Sequence, residues 1–313
     1  MALPHQPVLY KEIIHALRLK RGGRYVDGTV GAGGHAFGML EASAPDGQLL
    51  GLDVDPQALY HAHRKLAPFG ERACLMQASY VTLRQQLDAL DWDQVDGILL
   101  DLGASSMQFD TQERGFSFLA DGPLDMRFDP TNPLTAAQIV NEWPEAELAN
   151  ILHRFGEEPA SRRIARAIVS ARPIQGTGNL AAVIERVQRR RGAHHSATQT
   201  FQALRIAVNG ELEAVKQVLP LAVQALGPGG RLAIISFHSL EDRIVKEYFR
   251  LESRDCICPP KQPICTCGHK ASVKEIARRP ITPSEEEITQ NPRARSAKLR
   301  VAEKLSADQR QDE

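Results

Sequence analysis

The sequence predicts an α/β protein, a largely parallel sheet with helices between its strands and one helical insertion. Three observations lead there. Short apolar runs, two of them ending in Asp at Asp27 and Asp53, alternate with helical patterns up to Asp101. A glycine-rich turn, Gly28-Thr29-Val30-Gly31-Ala32-Gly33-Gly34, follows the first of those runs. The alternation then stops after Asp101 and resumes only at Arg231–Ser236, beyond a turn of Gly227-Pro228-Gly229-Gly230.

The elements follow in order. Val8, Leu9, Ile13, Ile14 and Leu17 recur near helical spacing, so residues 5–20 are predicted as an amphipathic helix. Arg24–Asp27 is the first strand, and a helix opens around Ala36. Leu49–Asp53 is the second strand, followed by a helix over Pro56–Lys65 with proline in its first turn. Cys74–Gln77 is a short third strand, with Cys74 a small core residue. Val81–Leu90 is helical, and Val95–Asp101 is a nearly continuous apolar strand of the kind a parallel sheet buries. Helices are predicted over Pro144–Phe155, Ser161–Ala171 and Leu180–Arg191. Thr198–Leu226 reads as one long helix with a kink at Pro220. Leu240–Leu251 is a helix after the fifth strand, and Val273–Arg278 with Lys298–Ala302 close the sheet as a hairpin-like pair. The expected division is a discontinuous sheet domain, 1–109 with 213–313, and a helical insert, 110–212.

Composition narrows the function classes. The 313 residues are 42% hydrophobic and 24% charged, as in a soluble globular enzyme, and no apolar run reaches the length of about 18 residues that a membrane span needs. Met1–Lys11 lacks a basic region followed by an apolar stretch, so a cytoplasmic location is expected and no membrane partner. The net charge is zero, so a nucleic-acid partner has to be held by a local patch. The insert supplies one: Arg154, Arg162, Arg163, Arg166, Arg172, Arg186, Arg189, Arg190, Arg191 and Arg205 face few acids, with Arg293, Arg295 and Arg300 as an extension. Arginine grips phosphate bidentately and stacks on bases, which points to RNA.

The glycine turn lets a backbone approach a bound cofactor, and Asp53 stands about twenty residues on, where such sheets present a carboxylate to ribose hydroxyls. Gly31-x-Gly33-x-x-Ala36 formally fits a dinucleotide site, and a nicotinamide oxidoreductase is therefore one alternative. The acidic end of the first strand, Asp27, and Asp101-Leu102-Gly103 at the end of the fourth favour S-adenosylmethionine. Tyr80 is placed to stack on adenine or to pack in the core. Asp101 and Gln108 are candidates for holding the cofactor or orienting a target amine. His238 is a candidate for contacting a substrate or moving a proton, while Ser239, with Asp242 three residues on, reads as a helix cap. The loop around Asp121–Arg127 is richer than a connector needs, and Asp125 and Arg127 are candidates for presenting RNA. Cys256, Cys258, Cys265, Cys267 and His269 leave two readings open, reduced structural thiols or a zinc set, and no catalytic metal is expected.

Taken together, Asp27–His35, Leu52–Pro56, Gly97–Gly103, Glu113–Phe118, Asp121–Arg127, Ile234–Arg243 and Asn291–Ser296 resemble the bacterial RsmH family, formerly MraW, over nearly the whole chain. The resemblance implies a Rossmann-like class I S-adenosylmethionine methyltransferase sheet with an inserted helical domain. It implies methylation of N4 of a cytidine in 16S ribosomal RNA near the decoding centre, in the small ribosomal subunit. Carried over position by position, cofactor contacts fall on Gly33, Gly34, His35, Asp53, Tyr80, Asp101 and Gln108. From the residues themselves, Asp101 is expected to accept a hydrogen bond from the target amine or to sit beside the methionine moiety, with His238 near the substrate. RNA contacts are expected from the insert, at Asp125, Arg127, Arg162, Arg163, Arg166, Arg189, Arg190 and Arg191. A DNA cytosine methyltransferase and a non-catalytic assembly factor are the remaining alternatives. The first is disfavoured because Asp101-Leu-Gly-Ala replaces the Asn/Asp-Pro-Pro-aromatic string of many amino-methyltransferases.

Overall fold

The computed structural model describes residues 7–188, 195–260, 262 and 264–306. Along the chain the elements are α1 (Tyr10–Ala16), β1 (Arg24–Asp27), α2 (Gly34–Ala42), β2 (Gln48–Asp53), α3 (Pro56–Leu66), β3 (Ala73–Gln77), α4 (Leu83–Asp88) and β4 (Val95–Asp101). Next come α5 (Ser106–Asp110), α6 (Ala136–Glu142), α7 (Glu145–Gly156), α8 (Ser161–Ser170), α9 (Thr177–Val187), α10 (Thr198–Asn209) and α11 (Glu211–Ala225). The chain closes with β5 (Leu226–Ser236), α12 (Ser239–Glu252), β6 (Val273–Glu275), α13 (Glu285–Gln290) and β7 (Lys298–Lys304).

Two compact units result, one of residues 1–103 with 212–313 and one of residues 104–211. The first is built on a sheet of order β3-β2-β1-β4-β5-β7-β6, in which β1 to β5 are parallel and β7 runs antiparallel to both neighbours. Side chains alternate across it. On β4, Ile98 and Leu100 join one apolar cluster with Val218, Leu219 and Phe249 from the helices on that face. Leu99 joins the other, with Ile13, Met39 and Leu66. Both faces are thus covered, as an almost unbroken apolar strand requires. The strand order reverses between β1 and β4, the place where open α/β sheets form a crevice at their carboxyl ends. Asp27 and Asp101 end those two strands.

The second unit has its own core, with Ile139, Leu148, Leu152, Ile164, Ile168, Leu180, Ile184 and Leu204 contributed by α6 to α10. Its loop beyond α5 is held by its own polar groups. Asn209 accepts from Phe128 N–H at 2.7 Å and donates to the Met126 carbonyl at 2.7 Å. Arg114 donates to the carbonyls of Arg127 and Phe128.

Local chemistry corrects several expectations. The first helix is shorter than 5–20, because Leu9 at its start and Arg18 just past its end both take left-handed φ (54° and 47°). The expected long helix breaks at Gly210, whose φ of 60° makes it the left-handed cap of α10, and Pro220 lies inside α11. The four turn residues 227–230 form a bulge within β5: Val95 pairs with Leu226, and the next pair is Gly97 with Arg231. Two helices went unforeseen, α5 and α6, each opened by a capping box, Ser105 with Gln108 and Thr135 with Gln138.

Candidate functional site

The ends of β1, β2 and β4 assemble a group of carboxylates around the glycine turn. Asp53 accepts from Gly31 N–H and from Asp55 N–H, both at 2.9 Å, and so fastens the turn to the end of β2. Gly31 takes φ 53° and Gly33 takes φ 79°, left-handed values that suit glycine. Thr29 joins the other two strands: its hydroxyl oxygen accepts from Asp101 N–H at 2.6 Å, and its own N–H donates to Asp27 Oδ1 at 3.2 Å. Gly28 leaves room for Leu100 and Tyr80, since a Cβ there would stand 2.6 Å from Leu100 Cδ2 and 3.3 Å from Tyr80 Cβ. Tyr80 therefore lies beside the end of β1, on the short 3₁₀ turn that follows β3.

Burial, with neighbouring negative charge adding to it, raises all three acids. Asp27 is pushed up to about 7 by burial, with the Asp53 charge adding and hydrogen bonds from Thr29 opposing. Asp53 is pushed up to about 6 by burial, offset in part by the amides it accepts from. Asp101 is pushed up to about 8 by burial, then by the charges of Asp27 and Glu241. Asp101 Oδ1 is buried and has no hydrogen-bond partner among the described residues.

No Lys or Arg forms an ion pair with Asp27, Asp53 or Asp101 among the described residues, and the nearby histidine does not substitute. His35 is buried, and burial pushes it down to about 4, so its ring is neutral. Nε2 lies 2.9 Å from the Val8 carbonyl, which only accepts, so Nε2 carries the proton. The bare Nδ1 then faces Asp101 Oδ2 across 3.8 Å. The result is a cluster of three acids that, among the described residues, no Lys or Arg pairs with. A ligand that carries positive charge fits it.

The remaining sequence candidates divide. Gly33 and Gly34 form the start of α2, and both are small for packing reasons. A Cβ on Gly33 would meet Leu66 at 3.3 Å, and one on Gly34 would meet Pro7 Cγ at 2.4 Å. Gly34→Ala is expected to destabilise the fold by about 1–3 kcal/mol, as overpacking does; urea denaturation monitored by circular dichroism checks it. Gln108 belongs to the helical unit, buried on α5, where its side-chain oxygen accepts from Ser105 N–H at 3.0 Å.

His238, rather than Ser239, caps α12: its Nδ1 accepts from Glu241 N–H at 3.4 Å. Its Nε2 lies 3.2 Å from Glu241 Oε1. Glu241 is fully buried and also accepts from Phe237 N–H at 3.0 Å, so it, and not Asp242, closes the turn. Asp242 instead holds Arg300 at 2.6 Å and Lys298 at 3.3 Å.

The basic surface shrinks. Arg300 is buried against Asp242. Arg205 makes a two-pronged bond to Glu211, 2.9 Å on each arm, with both side chains almost inaccessible. Arg172 spends its donors on the carbonyls of Val140 and Trp143. Arg127 pairs with Asp125 through Nε at 2.9 Å and Nη2 at 2.7 Å, and with the carbonyls of Pro130 and Asn132, so these two residues serve as the loop's scaffold. Arg162, Arg163, Arg166 and Arg186 are exposed. Arg189, Arg190 and Arg191 lie outside the described residues. Thr29 and Glu241 are the residues that sequence reading missed. Each lies inside a motif already singled out, but its role depends on strands or turns that only the fold brings together.

A match to the MraW methylase family runs over residues 2–305. The chain belongs to that family. It is 53% identical over 303 residues to the ribosomal RNA small subunit methyltransferase H of Dehalococcoides mccartyi, covering 96% of this chain and 87% of that one. It is 50% identical over 312 residues to the protein of the same name from Heliobacterium mobile, covering 97% and 100%. A solved structure of an rRNA methylase from Streptococcus thermophilus aligns over 97% of this chain and 100% of its own, at 12% identity and a TM-score of 0.45. As in the rest of the MraW methylase family, this chain's activity is methyl transfer. Among the described residues, no helix is long and apolar enough to cross a membrane.

Proposed function

We propose that this MraW-family chain transfers a methyl group from S-adenosylmethionine to N4 of a cytidine in 16S ribosomal RNA, near the decoding centre of the small subunit. One observation carries the reading: the buried Oδ1 of Asp101 at the end of β4, which among the described residues has no hydrogen-bond partner, beside acids that no described Lys or Arg pairs with. The names of relatives at about half identity support the RNA substrate.

The residues suit the donor. Bound there, S-adenosylmethionine supplies an activated methyl on a positively charged sulfur. Asp27, Asp53 and the turn Gly31–His35 are the groups that would hold it, with Tyr80 against the base. The NAD alternative brings a pyrophosphate, whose negative charge suits three neighbouring carboxylates poorly.

Asp101 does the work toward the acceptor. The amine of cytosine is a poor nucleophile because its lone pair is delocalised into the ring. A carboxylate oxygen accepting one N–H holds the nitrogen in line and favours its pyramidal form. In the ligand-free chain Asp101, raised to about 8, holds a proton at neutral pH; the positive sulfur of the donor would favour its ionised form, which can then take the proton that the methylated amine gives up. His238 acts as a positioning residue, fixing the turn between β5 and α12 through Glu241. The cytidine has to be unstacked, at a cost of a few kcal/mol, which is roughly what an RNA-gripping surface can offset. Arg162, Arg163 and Arg166 on α8 are the proposed phosphate contacts.

Ribosomal RNA from a strain lacking this gene is expected to lose one methyl on one small-subunit cytidine, read by mass mapping, and the purified protein with S-adenosylmethionine should restore it. An unchanged methyl map would sink the proposal. Replacing Arg162, Arg163 and Arg166 by Ala is expected to weaken RNA binding at every sequence alike. It should also reduce the slope of log affinity against log salt by about two to three. Filter binding at several salt concentrations checks this.

A further inference from the structure

We propose that Cys256, Cys258, Cys265 and Cys267 hold one zinc ion in a closed tetrathiolate site that staples the connector between α12 and β6. Between Ser253 and Ser272 the described residues form no helix or strand, and none of those from 253 to 270 reaches the buried core. Ile257 and Ile264 are exposed. A connector of this length in a compact protein calls for some restraint other than apolar burial.

The four sulfurs converge from two Cys-x-Cys arms, all within 4.8 Å of one another. Cys256 and Cys265 are 3.5 Å apart, as are Cys265 and Cys267, while Cys258–Cys265 and Cys256–Cys267 are 3.9 Å apart. Zinc bound tetrahedrally at about 2.3 Å sets its sulfurs about 3.8 Å apart. The arms are also reciprocal. Ile257 N–H of the first donates to Cys267 Sγ of the second at 3.5 Å, and Thr266 N–H of the second donates to Cys258 Sγ of the first at 3.4 Å. Such N–H···S bonds orient thiolate ligands of a metal.

Exposure decides between the two readings that the sequence leaves open. A structural thiol behaves as a small core residue, whereas Cys256, Cys265 and Cys267 are exposed and Cys258 half-buried. Their clustering therefore does not come from packing. His269 stays out of the ligand set, because its Nε2 lies 3.1 Å from the Leu251 carbonyl and ties the second arm to the end of α12. With four sulfurs the zinc has no open position, so the site is structural and takes no part in methyl transfer. Binding displaces the thiol protons to solvent and leaves four Zn–S bonds with no change of oxidation state.

The test uses the full chain, purified under reducing conditions without a metal-binding tag. Elemental analysis is expected to find about one zinc per chain, falling to background in Cys256→Ser/Cys265→Ser and unchanged in Cys74→Ser. Cobalt(II) added to the zinc-depleted wild-type protein should give the near-ultraviolet sulfur-to-metal charge transfer and visible bands of a tetrahedral tetrathiolate, a readout independent of variant folding. Trypsin should cut after Arg254 and Lys270 at least about tenfold faster once the metal is removed, as expected for a locally unfolded connector. Zinc below about a tenth of an equivalent on the folded wild-type protein, with no cobalt spectrum, would overturn the proposal. So would an intact mass showing two disulfides, or zinc retained with all four cysteines changed to serine.

Discussion

Asp101→Asn is expected to slow single-turnover methyl transfer by about 10²–10⁴-fold, the range of a lost general base, and at the same time to make the ligand-free protein more heat-stable at pH 8. The two effects share one cause. Burial and the charges of Asp27 and Glu241 lift this carboxyl from its ordinary 3.8 to about 8 in the folded chain. Between those values the folded state binds a proton that the unfolded state has released. Its contribution to stability is fully present below about pH 4 and is lost as the pH rises toward 8. Asparagine has nearly the same shape and no charge to bury, so it removes that loss. A rise in Tm of roughly 3 °C or more at pH 8 is expected, together with a flatter dependence of Tm on pH between 5 and 8. Scanning fluorimetry across that range, with circular dichroism to confirm folding, reads both. An Asn variant that methylates at the wild-type rate and keeps the wild-type pH slope would remove Asp101 from the centre of the reaction.

Asp242→Ala is expected to be among the most damaging single changes to the fold, costing about 3–5 kcal/mol, because it leaves a buried guanidinium without its counter-charge. Burial by itself would raise the Asp242 carboxyl, but the hydrogen bond and charge of Arg300, with Lys298 beside it, hold it below the ordinary carboxylate value. Arg300 Nη1 already lacks a partner among the described residues, so nothing nearby can take over. The pair ties α12 to β7 one turn beyond His238, so methyl transfer is expected to fall with stability. Urea midpoints give the measure. The double change Asp242→Ala with Arg300→Met should recover most of the loss, since an apolar side chain of similar length has no charge to strand. A single variant within about 1 kcal/mol of wild type would show that the pair is solvated and unimportant.

Strand ends were legible because they depend on neighbours in the chain. The acid closing β1, the turn behind it and the apolar run of β4 are local patterns, and β1 and β4 begin and end at the predicted residues. Helix ends were less so. A glycine at a left-handed cap outweighed a proline in deciding where the pattern after Thr198 breaks. Among the arginines, composition suggested one basic surface, but Arg172, Arg205 and Arg300 are each taken by groups whose position along the chain says nothing of their availability.

By itself the amino-acid order determined the alternating strands and helices, the glycine turn with its acidic flanks, and the family to which the chain belongs, since each resides in short contiguous strings. Only the tertiary structure decided which charges are spent and which are stranded. Asp242 meets Arg300 across 58 positions, and Thr29 meets Asp101 across 72. A carboxylate's proton affinity follows from the water it loses and the charges it faces, and both are set by segments that meet only when the sheet forms.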